Sequence, residues 1–120
     1  MIELVPEKTT KQEIVPLEEM FEAYCKMDLI SSEQNVNHIP LTQSDKWLMS
    51  ARILDMISLT YTDTGLAFFK FRKRAISFEE YMIYLKDLAK SRNLDLQVMK
   101  QRMQTCGKPI REGGTMGKLG

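Results

Sequence analysis

The sequence predicts a mostly helical domain, and three observations support this fold class. Apolar residues recur at three- and four-residue spacing in several separate segments, which is typical of helices that bury one face. Serine or aspartate residues that can cap a helix precede several of these segments. Between the helical segments lie two very short segments in which the helical spacing of apolar residues is interrupted, as it is in strands. Together these observations predict about five helices with a very short two-stranded β pairing.

The length of 120 residues suits one domain, and composition divides the chain into three parts. Residues 1–15 are charged and have no sustained period, so we expect a flexible N-terminal arm. Residues 106–120 contain five of the six glycines, so we expect a flexible Gly-rich tail. The folded domain is therefore predicted over residues 16–105.

The first helix is predicted near residues 17–27. Pro16 suits the first turn of a helix because it has no amide hydrogen to leave unpaired, and apolar residues then follow at helical spacing. Residues 28–43 contain serines, asparagines and a proline, which indicates a loop. We expect Ser44 to cap the second helix, which includes the apolar residues from Trp47 to Leu54.

The third helix is predicted to start at Thr62–Thr64. We expect Leu66 and Phe69 to face the core, with Phe68 as a further candidate. The cationic run Lys70–Arg74 is predicted to end this helix, because the helix dipole favours positive charge at the C-terminal end.

The fourth helix, near residues 78–91, carries the strongest local signal. Ser77 and Glu80 form a capping box, in which each side chain accepts a hydrogen bond from the other residue's amide. An apolar stripe then follows, made of Phe78, Tyr81, Met82, Leu85, Leu88 and Ala89. A fifth helix is predicted after a cap at Asn93 or Asp95, with Leu96, Met99 and Met103 on its apolar face.

The two short strands are predicted at Ile57–Thr60 and Ala75–Ser77, and we expect them to pair with each other. Helices that flank two such strands form the skeleton of an EF-hand-like domain. The calcium loop is degenerate, because apolar Ile57 and Leu59 stand where a loop starting at Asp55 would need oxygen ligands. A divalent-metal sensor is therefore a disfavoured function, and titration calorimetry with calcium and zinc would discriminate it.

The charges are divided unevenly along the chain. The formal net charge is +1, but residues 1–45 carry −6 and residues 46–120 carry +7. The near-neutral total argues against a dedicated nucleic-acid binder, and no apolar run approaches the roughly 18 residues of a membrane span. A basic second half is suited to an acidic protein partner. Two cysteines and no apolar signal segment indicate a reducing compartment, with free thiols.

Several segments, in order, closely resemble the tubulin polymerization-promoting protein family. The segments are Leu17–Phe21, Trp47–Asp55, Leu59–Phe71, Ala75–Tyr81 and Leu85–Arg92. The resemblance covers about residues 17–105. It implies an EF-hand-like domain without working calcium loops, tubulin binding, and microtubule polymerisation or bundling. It also implies a cytoplasmic location on the microtubule cytoskeleton.

The chain departs from this family at two kinds of site. Some members carry a zinc-type His/Cys set between the first two helices, but here Leu48 and Ala51 stand at the corresponding cysteine positions, which leaves Cys25 and His38. Since a closed zinc site needs about four ligands, we predict no metal and no cofactor. The glycine-rich tail also lacks a phosphate-binding loop, which leaves the family's nucleotide link unsupported. With one histidine and no catalytic triad, we predict no enzymatic activity.

The predicted partner-binding residues are cations of the third and fourth helices: Lys70, Arg72, Lys73, Arg74, Lys86 and Lys90. Acidic tubulin surfaces would attract such a cluster, although a solvated loop is a simpler interpretation of the same residues. The predicted function is tubulin and microtubule binding that promotes polymerisation or bundling. Bundling requires contact with two filaments, through two surfaces or through a homodimer. The alternative is an EF-hand-like adaptor that binds another protein through an apolar helix groove.

Overall fold

A computed structural model describes residues 13–27 and 37–109. These ranges form five helices and a two-stranded sheet, in the order α1 (Leu17–Lys26), β1 (Ile39–Pro40), α2 (Leu41–Ser50), α3 (Tyr61–Phe69), β2 (Ala75–Ile76), α4 (Phe78–Arg92) and α5 (Leu96–Thr105). The predicted fold class is confirmed, and the architecture is compatible with an EF-hand-like arrangement. Most of the predicted arm, part of the first loop and most of the predicted tail lie outside the described residues.

The strand pair is antiparallel, but one predicted partner is wrong. Strand β2 forms as predicted, whereas its partner is β1, with Ile39 opposite Ile76 and Pro40 opposite Ala75. The predicted loop over residues 28–43 thus contains β1, and α2 follows it directly. The sheet therefore ties the start of α2 to the connection between α3 and α4.

The segment Ile57–Thr60, predicted as a strand, forms a turn around the side chain of Asp55. One carboxylate oxygen, Oδ1, accepts hydrogen bonds from the amides of Ile57 (2.8 Å), Ser58 (2.7 Å) and Leu59 (3.2 Å). These hydrogen bonds hold the pKa of Asp55 below its usual value. Because these three amides donate to the side chain of Asp55, they are not available for hydrogen bonds to a neighbouring strand.

The second helix begins earlier than predicted, and Ser44 is not its cap. Helix α2 starts at Leu41, after Pro40. Ser44 is fully buried inside it, and its hydroxyl lies 2.9 Å from the hydroxyl of Tyr81. The predicted helix also extends too far, since Ile53 lies beyond the end of α2 and its amide donates to the carbonyl of Leu48 at 2.8 Å.

Two capping boxes set the starts of α3 and α4. Thr60 and Asp63 form one, so that α3 begins at Tyr61, one residue before the predicted start. Ser77 and Glu80 form the other, as predicted. In both cases the acidic side chain also lies at the favourable N-terminal end of the helix dipole.

The predicted inward face of α3 is wrong for two of its three residues. Leu66 is 65% exposed and Phe69 is 69% exposed, whereas Phe68 is buried together with Thr64 and Ala67. The buried residues are the ones that α3 presents to α2 and α4, its neighbours in the fold. The helix therefore leaves large apolar side chains at the surface.

The last two helices match their predictions closely. The buried residues of α4 are Tyr81, Tyr84, Leu85, Leu88 and Ala89, of which only Tyr84 was not expected. Asp95 caps α5 by accepting from the amides of Gln97 (2.9 Å) and Val98 (3.2 Å). Met99 and Met103 of α5 are buried as predicted.

A column of aromatic rings runs through the core. Tyr24, Trp47, Tyr81 and Tyr84 stack in succession, with ring centroids 5.1, 5.5 and 5.3 Å apart. Phe68 then meets Tyr84 edge-on at 5.6 Å. Such pairs contribute beyond the burial of their area. The column joins α1, α2 and α4 and holds the C-terminal half of α3 against them.

Candidate functional site

The candidate site surrounds the C-terminal end of α3. Beyond Phe69, the amides of Phe71 and Arg72 donate to the carbonyls of Phe68 (3.1 Å) and Phe69 (2.9 Å). Arg72 has a left-handed backbone with φ of 52°, which is uncommon for a residue with a side chain. The predicted cations Lys70, Arg72, Lys73 and Arg74 thus lie on a tight connection to β2, and all four are exposed.

The first of two grooves at this site, the α2–α3 groove, has a volume of about 530 Å³. Its floor residues are apolar or lack a side chain: Leu41, Gly65, Phe68 and Phe69. Its basic rim is formed by three of the predicted cations, Arg72, Lys73 and Arg74. No acidic residue lines this groove in the part of the chain that the structure describes.

The second groove, the α3–α4 groove, has a volume of about 420 Å³. The other three predicted cations, Lys70, Lys86 and Lys90, line it. Its remaining lining residues are Ala67, Phe71, Ile83 and Asp87. The structure therefore distributes the six predicted cations over two grooves that share the end of α3.

Two of the six cations form ion pairs within the chain. The ammonium group of Lys70 lies 2.9 Å from the carboxylate of Asp87, and that of Lys73 lies 2.6 Å from the carboxylate of Glu80. Lys73, followed by the amide of Ser77, lowers the pKa of Glu80. Lys73 thus pairs with the acidic residue of the α4 capping box and also borders the α2–α3 groove.

The other four cations are available to a partner. Arg72, Arg74, Lys86 and Lys90 are exposed and form no ion pair with any residue in the ranges 13–27 and 37–109. The site therefore carries four uncompensated positive charges next to exposed apolar side chains.

Two other cations in residues 46–120 form hydrogen bonds or ion pairs away from the two grooves. The Nε of Arg92 donates to the carbonyl of Ser58 at 3.1 Å and lies 3.7 Å from the carboxylate of Asp63. Arg102 donates to the carbonyl of Arg52 at 3.0 Å. Neither Arg92 nor Arg102 lines the α2–α3 or the α3–α4 groove.

A buried polar cluster lies between α2, α3 and α4 and is formed by Ser44, Asp45, Thr64, Tyr81 and Tyr84. Burial raises the pKa of the Asp45 carboxyl, an effect that the nearby hydroxyl of Thr64 partly offsets. Burial also raises the pKa of Tyr81 and Tyr84. The hydroxyl of Tyr84 and Oδ1 of Asp45 have no hydrogen-bond partner in the described part of the chain. Because the tyrosines of this cluster are fully buried, its role is in the core and not in contact with a partner.

The residues at the positions of the family's zinc site lie in different environments. Cys25 is buried, and burial raises the pKa of its thiol to about 12, which disfavours the thiolate that binds metal. His38 is exposed in the turn before β1, while Leu48 and Ala51 belong to the core. Within residues 13–27 and 37–109, no group of three or more histidine, cysteine or acidic residues could hold a metal ion.

The sequence pattern predicts the cations of the candidate site but not the apolar residues beside them. Leu41 was expected in a loop and Phe69 in the core, so neither was considered as a surface residue. The available signal was Gly65, which weakens a helix that is otherwise well capped. What brings Leu41 next to Gly65 is the β1–β2 pairing, which the sequence pattern did not reveal.

The comparisons with known proteins concern the family of the chain. The p25-alpha family model matches residues 18–118, most of the chain. Neither the curated proteins nor the solved structures contain a match. None of the described helices is long and apolar enough to cross a bilayer. The matched family is non-enzymatic and tubulin-associated, which suggests an association with tubulin or microtubules. The chain therefore belongs to the p25-alpha family, the family of the tubulin polymerization-promoting proteins.

Proposed function

We propose that this protein binds tubulin and microtubules through the basic surface around the end of α3, and thereby promotes microtubule polymerisation or bundling in the cytoplasm. The observation that carries the proposal is a set of four exposed cations that form no ion pair with any other described residue: Arg72, Arg74, Lys86 and Lys90. A surface with this uncompensated charge attracts an acidic partner.

The arginines and lysines of this surface would serve the contact differently. A guanidinium group can bind a carboxylate with two parallel hydrogen bonds, so Arg72 and Arg74 suit direct pairing with glutamate or aspartate side chains. Lys86 and Lys90 are four residues apart and lie on one face of α4, where they add positive potential near the contact. Because all four are exposed, salt should screen the attraction and weaken binding.

Polymerisation and bundling make different demands on this surface. Binding one tubulin subunit needs the basic surface alone, whereas bundling needs each particle to contact two filaments. A second surface on the same chain or a homodimer would both satisfy this requirement. Turbidity measured together with pelleting separates bundling from simple binding.

The test is co-sedimentation of an Arg72→Glu/Arg74→Glu variant with microtubules. Both side chains are exposed and form no ion pair within the described ranges, so the variant should fold, whereas reversal of Lys73 would also disturb the cap at Glu80. The matched control is Lys26→Glu/Lys100→Glu, which makes the same change in net charge on α1 and α5. We expect the first variant to lose most of its binding at low salt and the control to retain it. Wild-type pelleting by the folded first variant would refute the assignment of the surface.

A second candidate function is an adaptor that binds another protein through an apolar groove. The exposed apolar residues beside the grooves favour it: Leu66, Phe69 and Ile83 are 65%, 69% and 59% exposed. This candidate predicts that the wild-type chain does not pellet with microtubules even at low salt, and that it forms a stable complex with a different protein.

A further inference from the structure

Two residues that oppose local backbone preference border the same groove. Gly65 lies inside α3, where glycine weakens a helix relative to alanine. Arg72 adopts a left-handed backbone with φ of 52°, a conformation that favours glycine or asparagine. Both line the α2–α3 groove. Arg52, Met56 and Asn93 share this backbone and lie outside the groove, so the backbone of Arg72 does not by itself mark a functional site.

No packing reason explains the glycine at position 65. A Cβ atom built there meets no other atom within 4 Å, so neither a crowded neighbour nor a close backbone excludes a side chain. Gly65 lines the α2–α3 groove together with Phe68 and Phe69, and the position of its missing side chain is open space.

The open groove combines apolar and cationic recognition. Its volume of about 530 Å³ falls within the roughly 300–1,000 Å³ of ligand-binding pockets. Phe69, which is 69% exposed, offers an aromatic face, and the uncompensated cations Arg72 and Arg74 form part of the rim.

We propose that the α2–α3 groove binds an acidic peptide segment that carries one bulky apolar side chain. The apolar side chain occupies the space beside Gly65, against Phe68 and Phe69. Carboxylates on either side of it pair with Arg72 and Arg74. The inference rests on the proposed function for the identity of the partner, tubulin, and it adds an apolar determinant to a contact that would otherwise be electrostatic.

The groove favours a peptide over other anionic partners. An extended nucleic acid strand needs successive aromatic platforms along a basic channel, whereas one exposed ring, Phe69, lines this groove. An anionic membrane would contact exposed apolar side chains such as Phe69 without requiring the open space beside Gly65, which only an inserted side chain would use. A peptide can place one side chain into the groove and keep its carboxylates at the rim.

The test uses two labelled peptides and fluorescence polarisation. One is a short glutamate peptide with a central phenylalanine, and the other has alanine in its place. We expect the wild-type chain to bind the phenylalanine peptide at least about tenfold more tightly, as burial of a large apolar side chain allows. Gly65→Met should remove this preference by filling the groove. Gln97→Met is the matched control, because it places the same side chain on an exposed position of α5 outside the groove, so the preference should persist.

The outcomes separate this inference from the proposed function. Equal binding of the two peptides by the wild-type chain, or a preference that survives in Gly65→Met, overturns the groove inference even if the chain pellets with microtubules. A preference that Gly65→Met abolishes supports the inference even if the chain fails to pellet, in which case tubulin is the wrong partner. Tighter binding to phosphatidylserine vesicles than to either peptide, lost in Gly65→Met, would also overturn it in favour of a membrane. Thermal unfolding of Gly65→Met, expected no lower than that of the wild type, verifies its fold.

Discussion

Replacing Asp87 by asparagine is expected to strengthen binding to an acidic partner. Asp87 is the acidic residue among those that line the α3–α4 groove, and its carboxylate lies 2.9 Å from the ammonium group of Lys70. The substitution removes a negative charge from the proposed surface and leaves Lys70 uncompensated. The fold should tolerate it, because the side chains of Lys70 and Asp87 are 64% and 34% exposed and such pairs contribute about 0–1 kcal/mol.

The size of the effect follows from Coulomb's law. A partner carboxylate about 7 Å from Asp87 is repelled by about 0.6 kcal/mol in water, and removal of this term changes Kd by about threefold. At roughly 0.15 M ionic strength the Debye length is about 8 Å, so the gain should shrink to less than about twofold. The prediction is therefore a modest increase in affinity that depends on salt.

Co-sedimentation with microtubules at two salt concentrations measures this change. The matched control is Glu22→Gln, which removes one exposed acid from α1, away from both grooves. We expect Asp87→Asn to bind more tightly at low salt and Glu22→Gln to bind like the wild type. An unchanged affinity for Asp87→Asn would refute the assignment of this surface, and an equal increase for the control would show that net charge and not this surface governs binding.

Two further predictions concern the buried polar cluster. Ser44→Ala leaves the buried hydroxyl of Tyr81 without its partner at 2.9 Å, so chemical denaturation should show a loss of about 1–3 kcal/mol in the free energy of unfolding; a loss below about 0.5 kcal/mol would contradict this reading. Burial raises the pKa of Asp45 above its ordinary 3.8, so the charged form favours unfolding and its penalty is fully present above the folded-state pKa. Asp45→Asn should therefore be more stable than the wild type at neutral pH, and this advantage should vanish as the pH falls below 3.8; an advantage that is constant with pH would refute the cause.

The elements that were predicted well are those specified by neighbouring residues. Ser77 and Glu80, which are three residues apart, provide hydrogen-bond acceptors for amides at the start of α4. The side chain of Asp95 does the same for amides at the start of α5. Such signals lie entirely in the local sequence, and the structure reproduces both helices within a residue or two of their predicted ends.

The elements that were predicted wrongly depend on partners distant in sequence or on competing side chains. Ile57–Thr60 alternates as a strand does, but the carboxylate of Asp55 takes its amides. On α3, both the stripe of Leu66 and Phe69 and the neighbouring stripe with Phe68 are compatible with helical spacing. In the structure Phe68 faces the core and contacts Tyr84, with ring centroids 5.6 Å apart. Helical periodicity alone cannot predict which of the two stripes makes this contact.

The candidate site was predictable in its charge and not in its shape. The cationic run Lys70–Arg74 and the four-residue spacing of Lys86 and Lys90 follow directly from the sequence. The ion pairs that occupy Lys70 and Lys73 come from α4, and the floor at Leu41 comes from the β1–β2 pairing. These contacts require the tertiary fold.

The most direct test of the central claim is co-sedimentation of the wild-type chain with microtubules across a salt series. The account predicts saturable pelleting at low salt, with a bound fraction that falls steadily as the salt concentration rises, because exposed cations carry the contact. Absence of pelleting at low salt, or binding that does not change with salt, would contradict it.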